Sequence, residues 1–251
     1  MKRTETVEIN AKINLSLNVT GMKDGYHLLD TVVASVGLAD AVSVCACSEF
    51  SAEFSDKSIN AAQSNALKAA KYMSGKYALP AVKINVVNRI PCGCGLGGSS
   101  ADCAGVIMAV NNLFSLGLSD RELRYVAGLF GSDTPYMLSG GYARLTGRGE
   151  KIEFFDSDFS GSILIAYKGG VDTRECFRLY DRLRPEGKQA DNGALIEALR
   201  LCNPDGVYKE MKNALVSAAK HINPYIEDRS RTRQILRPVR WTGRAWWKSS
   251  G

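Results

Sequence analysis

Between Pro91 and Asp102 the chain reads PCGCGLGGSSAD, setting Gly93, Gly95, Gly97 and Gly98 between a strand-like stretch, VKINVVNRI, and a helix-like one, ADCAGVIMAVNNLF. Glycines let backbone N–H groups turn inward. With a helix N-terminus behind them and the Ser99 and Ser100 hydroxyls beside them, they would form a concavity for phosphate. The plain alternative is a tight strand-to-helix turn, although such turns are usually short and seldom so rich in glycine. Gly93-x-Gly95-x-x-Gly98 also satisfies the dinucleotide fingerprint, with Asp120 standing 22 residues beyond Gly98. That match is weak, because Asp120 sits inside the capping box of Ser119 and Glu122, whereas a ribose-binding acid ends a second parallel strand. A Walker loop is ruled out, since no lysine occurs from Pro91 to Asp102. Any cation that assists phosphate chemistry must come from elsewhere.

Phosphoryl transfer to an alcohol requires a positioned hydroxyl, a group to take its proton and positive charge near the moving phosphoryl. Lys12 and Asp133 are of the right types. Lys12 and Asn14 lie two apart in the alternating run VEINAKINLSL, which puts them on one face of a strand. Lysine on a strand is more often just solvated, and Asp133 before Thr134-Pro135 could be only a turn-former. Tyr26 and His27 follow Asp24-Gly25, a strong hairpin dipeptide. An aromatic face can stack on a pyrimidine and a histidine can read its edge, but both types are also ordinary in a surface turn.

The elements that must position these residues form an α+β series. Strands are expected over 7–17, in two stretches between Thr31 and Val44 split at Ala39-Asp40, over 82–90 and at 163–167, with a hairpin about Gly147-Arg148-Gly149. Helices are expected over 65–73, after the glycine loop, from Ser119 to about 130, and near 174–183, 194–201 and 206–220. A boundary near 156–160 gives a first domain of 1–157, a second of 158–228 and a separate segment of 229–251. Hydrophobic residues at 45% and charged residues at 23% are globular values. No export signal is visible, and seven cysteines without a CxxC pair suggest neither a disulfide framework nor a zinc ribbon; the cytoplasm is the expected compartment. Two histidines are too few for a three-histidine metal site and narrow the scope for a Ser-His-Asp hydrolase. The net charge of +6 is concentrated: residues 229–251 carry six arginines, one lysine and no acid, a local +7 that leaves 1–228 at −1. All three tryptophans lie there too. That segment reads either as a basic aromatic nucleic-acid arm or as the product of a disturbed reading frame.

Several separated segments resemble the GHMP kinases, the small-molecule kinases named after galactokinase, homoserine, mevalonate and phosphomevalonate kinases. The glycine loop Pro91–Asp102 looks like their ATP-phosphate loop. AKINL at 11–15, DGYHL at 24–28 and GSDTP at 131–135 resemble the branch that acts on 4-diphosphocytidyl-2-C-methyl-D-erythritol in the non-mevalonate isoprenoid pathway. Also similar are Asn65-Ala66-Leu67, Ser139-Gly140-Gly141 with Gly147-Arg148-Gly149-Glu150, and Val171-Asp172-Thr173 before Phe177, so that residues 6 to about 225 are covered. The resemblance implies a two-domain fold, with an N-terminal ribosomal-S5-like α/β domain and an incomplete ferredoxin-like α+β domain. It implies ATP-dependent phosphorylation of the substrate's 2-hydroxyl, with Asp133 as catalytic base and Lys12 beside it. Asn65, Pro91, Gly93, Gly95, Leu96, Gly97, Gly98, Ser99 and Ser100 would hold ATP, and Asn14, Tyr26, His27 and Phe177 the cytidyl substrate. Mg²⁺ is implied by the nucleotide, with Ser100 and Asp133 as candidate ligands. The resemblance implies a small-molecule substrate, no nucleic acid or membrane, and a monomer or homodimer. The family often has lysine where Asn88 stands, so no role passes to Asn88. Its third glycine-rich segment is not found either; Trp241-Thr242-Gly243-Arg244-Ala245 stands about where it would fall. Two alternatives therefore stay open: a remnant that binds nucleotide weakly without catalysis, and another small-molecule kinase of the superfamily.

Overall fold

The computed structural model describes residues 3–163, 165, 169–185 and 187–226. The expected basic segment 229–251, the Trp241–Ala245 stretch and most of the expected strand at 163–167 lie outside the described residues. The strands are β1 (Thr4–Asn14), β2 (Asn18–Lys23), β3 (Tyr26–Ala46), β4 (Ser51–Phe54), β5 (Val82–Val87), β6 (Tyr142–Gly147) and β7 (Lys151–Phe155). The helices are α1 (Asn65–Tyr77), α2 (Gly98–Leu113), α3 (Asp120–Gly128), α4 (Thr134–Met137), α5 (Thr173–Leu183), α6 (Asn192–Arg200), α7 (Pro204–Glu210) and α8 (Val216–Ile222). This is the expected α+β mixture. Among the described residues no helix is long and apolar enough to cross a membrane. The chain divides into two compact units, one of residues 1–13 and 35–140, the other of 14–34 and 141–251.

In the first unit β5 runs antiparallel to the second half of β3, from Ala41↔Val87 to Ala46↔Val82, and β4 joins β5 in parallel. The alternation in VKINVV turns Val82, Ile84 and Val86 inward, each fully buried. They pack with Val42, Val44, Met73, Ile107 and Val110 under α1 and α2, and each such side chain contributes about 1.5–3 kcal/mol of burial. The small residues of α2 let it press close to the sheet: a Cβ on Gly105 would stand 2.7 Å from Val42 Cγ2. Ser64 caps α1 by accepting the Leu67 N–H, and Ser119 with Glu122 forms the expected capping box at α3.

In the second unit Asp24 and Gly25, both at positive φ (52° and 77°), turn β2 back onto the start of β3, as a hairpin of this dipeptide should. The first half of β3 also pairs with β6, and β6 with β7. Asn18 both donates to the Ala190 carbonyl and accepts from its N–H, each at 2.9 Å, which ties β2 to the start of α6. Asp30 receives both arms of the Arg144 guanidinium at 2.8 and 2.7 Å, and these bonds hold its carboxyl below the usual carboxylate range although burial pushes the other way.

Two expectations need correction. Ala39-Asp40 does not split the strand, because the buried Asp40 carboxylate accepts the Arg89 and Ile90 N–H groups at 2.5 and 2.8 Å, and β3 runs on unbroken. The helix expected over 206–220 is two, α7 and α8, since the chain between them bonds elsewhere: Leu17 N–H donates to the Lys212 carbonyl and Ala214 N–H to the Leu17 carbonyl, both at 2.8 Å.

Candidate active site

The glycine loop leaves β5 through a half-buried Pro91 and turns at three glycines with left-handed backbone, Gly93 (φ 71°), Gly95 (φ 72°) and Gly97 (φ 80°). At Gly97 the requirement is double, since a Cβ would also meet Met137 Cε at 2.1 Å and Lys12 Cγ at 3.2 Å. Gly97 is the N-cap of α2, no side chain caps it, and no acid lies in the first turn of this 16-residue helix. The positive end of the helix dipole, beside Ser99 and Ser100, is therefore suited to an anion. A cavity of about 200 Å³ adjoins this turn, lined among others by Gly98, Ser99, Ser64, Asn65, Asn88 and Asp102. Asn65 opens α1 on the cavity wall, and its Nδ2 donates to the Phe130 carbonyl at 2.7 Å.

The buried Leu96 links this loop to the charged pair. Its carbonyl accepts the Lys12 N–H at 3.0 Å, fixing β1 against the loop. The Lys12 side chain, only 8% exposed, brings its ammonium to 3.2 Å from Asp133 Oδ2, whose side chain is 34% exposed. Although Asp133 stands at the N-cap of α4, its side chain makes no capping bond, so the carboxylate is not spent on the turn. A buried ammonium left without its partner is costly, which makes the pair a constraint on the site as well as a feature of it. Ser100, in the first turn of α2, and Asp133, at the N-cap of α4, carry oxygen donors of the type Mg²⁺ takes.

A feature that sequence reasoning missed forms one wall of the cavity. Asp40 and Asp102 are both buried, and Asn88 Nδ2 stands 3.4 Å from an oxygen of each. Asp102 Oδ1 has no hydrogen-bond partner. Burial first, then the charge of Asp40, pushes the Asp102 carboxyl up to about 8 against the weaker pull of Asn88. Its burial beside Asp40 thus favours the neutral form of Asp102. The three residues lie on β3, after β5 and in α2, and no local pattern links them.

The residues expected to hold a cytidyl group lie in the second unit. His27 stacks on Phe177 with centroids 4.6 Å apart and a 24° interplanar angle. Tyr26 is not stacked with them; it is 57% exposed, and the Arg148 guanidinium sits 4.4 Å from its ring centroid. Asn14 Nδ2 donates to Thr31 Oγ1 at 2.8 Å. Arg148 and Asp181, which meets His27, were not foreseen as site residues. The one available signal was helical: Asp181 follows Phe177 by four residues in α5.

Residues 64–141 match the family model for the GHMP kinases N terminal domain. The 4-diphosphocytidyl-2-C-methyl-D-erythritol kinase of Mycobacterium marinum is 34% identical over 229 residues, which span 87% of this chain and 72% of that protein. The kinase of the same name from Moorella thermoacetica is 31% identical over 227 residues, 88% of this chain and 80% of the relative. Among solved structures, a 4-(cytidine 5'-diphospho)-2C-methyl-D-erythritol kinase superposes with a TM-score of 0.66 at 26% identity, covering 89% of this chain and 80% of that one. Homoserine kinase from Cytophaga hutchinsonii shares the fold, with a TM-score of 0.63 at 14% identity over 91% of this chain and 78% of that one.

Proposed function

The chain belongs to the GHMP kinases, in the family of 4-diphosphocytidyl-2-C-methyl-D-erythritol kinases, and from that premise we propose that it transfers the γ-phosphoryl group of ATP to the 2-hydroxyl of 4-diphosphocytidyl-2-C-methyl-D-erythritol in the non-mevalonate isoprenoid pathway. The observation that carries this reading is the Lys12–Asp133 pair, tied to the phosphate loop through the Lys12 N–H and the Leu96 carbonyl. Asp133 takes the proton of the 2-hydroxyl as its oxygen bonds to the γ-phosphorus, the bond from that phosphorus to the β–γ bridging oxygen breaks, and ADP leaves. The Lys12 ammonium offsets negative charge on the attacking oxygen and holds the Asp133 carboxylate in place. The N–H groups of the loop and of the first turn of α2 bind the transferring phosphates, with Ser99 and Ser100 assisting, while Asn65 contacts the base or sugar of ATP. Ser100 or Asp133 would hold Mg²⁺, which would supply positive charge to neutralise the phosphates.

In this reading Tyr26, His27 and Phe177 hold the cytosine, and Asn14 contacts the substrate near Lys12. Residues 1–157 act as the ATP-binding domain and 158–228 as a partial second domain; the protein works in the cytoplasm as a monomer or homodimer and does not bind nucleic acid. The test is ATP consumption in the presence of Mg²⁺ with 4-diphosphocytidyl-methylerythritol, mevalonate, galactose and homoserine as separate acceptors. Turnover of the first alone is expected. Turnover of mevalonate in its place would overturn the substrate assignment.

A further inference from the structure

Helix α5 carries Phe177, Tyr180 and Asp181 at i, i+3 and i+4, a spacing that gathers them on one face, and all three meet His27. Phe177 stacks on the imidazole, Tyr180 stands edge-on to it with centroids 6.3 Å apart, and Asp181 Oδ1 lies 2.7 Å from His27 Nε2. The His27 side chain is largely covered while Asp181 keeps 45% of its own exposed. Nothing in the reaction above uses Asp181. We propose that Asp181 is a positioning residue that fixes His27 with its proton on Nε2, leaving Nδ1 as an acceptor for the exocyclic amine of cytosine. The inference rests on the cytidyl reading of the substrate.

The chemistry follows from donor and acceptor roles. An ionised carboxylate only accepts, so the ring nitrogen facing it carries the proton, and the other nitrogen of a neutral imidazole then presents its lone pair. Flipping the ring would remove Nε2 from Asp181, and packing by Phe177 and Tyr180 restricts other rotations. Cytosine carries an amine donor where uracil carries a carbonyl acceptor at the corresponding edge. An imidazole acceptor held in place favours the first and repels the second. Asp181 would thereby set the choice of base without touching it.

Two measurements on the full chain test this. Nitrogen-15 NMR of the histidine rings, at a pH of about 8 where an ordinary imidazole is neutral, should show wild-type His27 protonated on Nε2 and unprotonated on Nδ1. Asp181→Ala should give a mixture of tautomers, and Asp181→Asn, whose amide oxygen accepts the same proton, should restore the single one. Binding of CDP and UDP by calorimetry should show a wild-type preference for CDP that falls about tenfold in Asp181→Ala, as expected for one oriented hydrogen bond, and largely returns in Asp181→Asn. An unchanged tautomer, or equal loss of CDP and UDP affinity, would overturn the positioning role alone. Failure of the wild-type protein to bind CDP would overturn the cytidyl reading and this inference with it.

Discussion

Replacing Asp102 by asparagine should make the protein more resistant to unfolding at pH 8 while changing it much less at pH 5. The Asp102 carboxyl is held at about 8 in the folded chain against 3.8 for an unperturbed aspartate. Between those values the folded state keeps a proton that the unfolded state has released, so stability falls as pH rises, by about 1.4 kcal/mol per unit. Below about pH 4 both states are protonated and nothing is lost; above about 8 the whole difference is lost, on the order of 5 kcal/mol. Asparagine is neutral throughout, nearly isosteric, and its amide can donate to Asp40 as the protonated acid does. From pH 5 to pH 8 the advantage of Asp102→Asn should therefore grow by about 4 kcal/mol, or roughly 10 °C in melting temperature for a chain of this size. Thermal unfolding of both proteins in matched buffers without nucleotide measures it. A constant gap between the two across this range would refute the reasoning, because it would mean that Asp102 titrates alike in the folded and unfolded chain.

Asp133→Asn should lower kcat by a factor of about 10² or more while CDP and ATP still bind, as loss of a proton acceptor demands; parallel loss of binding and turnover would make Asp133 a structural residue. Gly97→Ala and Gly95→Ala both force alanine into left-handed backbone, at about 1–2 kcal/mol each, but only at position 97 does the methyl meet Met137 and Lys12, whereas the space at Gly95 is open. Turnover should accordingly fall at least tenfold further in Gly97→Ala than in Gly95→Ala, and equal losses in steady-state assays would show that the approach of Lys12 to the loop does not matter.

What could be known from the sequence was local. Period-two burial in VKINVV, the Ser119–Glu122 capping box, the Asp24-Gly25 hairpin and the glycines ahead of α2 each act within a few residues, so the residue types alone specify the conformation. The loop chemistry and the kinase resemblance rest on such short segments. Tertiary structure alone decided that His27 meets Asp181 and that Asn88 lies between two buried acids, and it supplied the contact of Lys12 with Asp133 that the resemblance had only implied. The same cause explains the misread boundaries. Asp40 looks like a breaker until the Arg89 and Ile90 N–H groups that it accepts are in view, and residues 211–215 look helical until Leu17 bonds on both sides of Asn213. A polar residue's local preference gives way once a distant partner satisfies its hydrogen bonds, and only the folded chain supplies that partner.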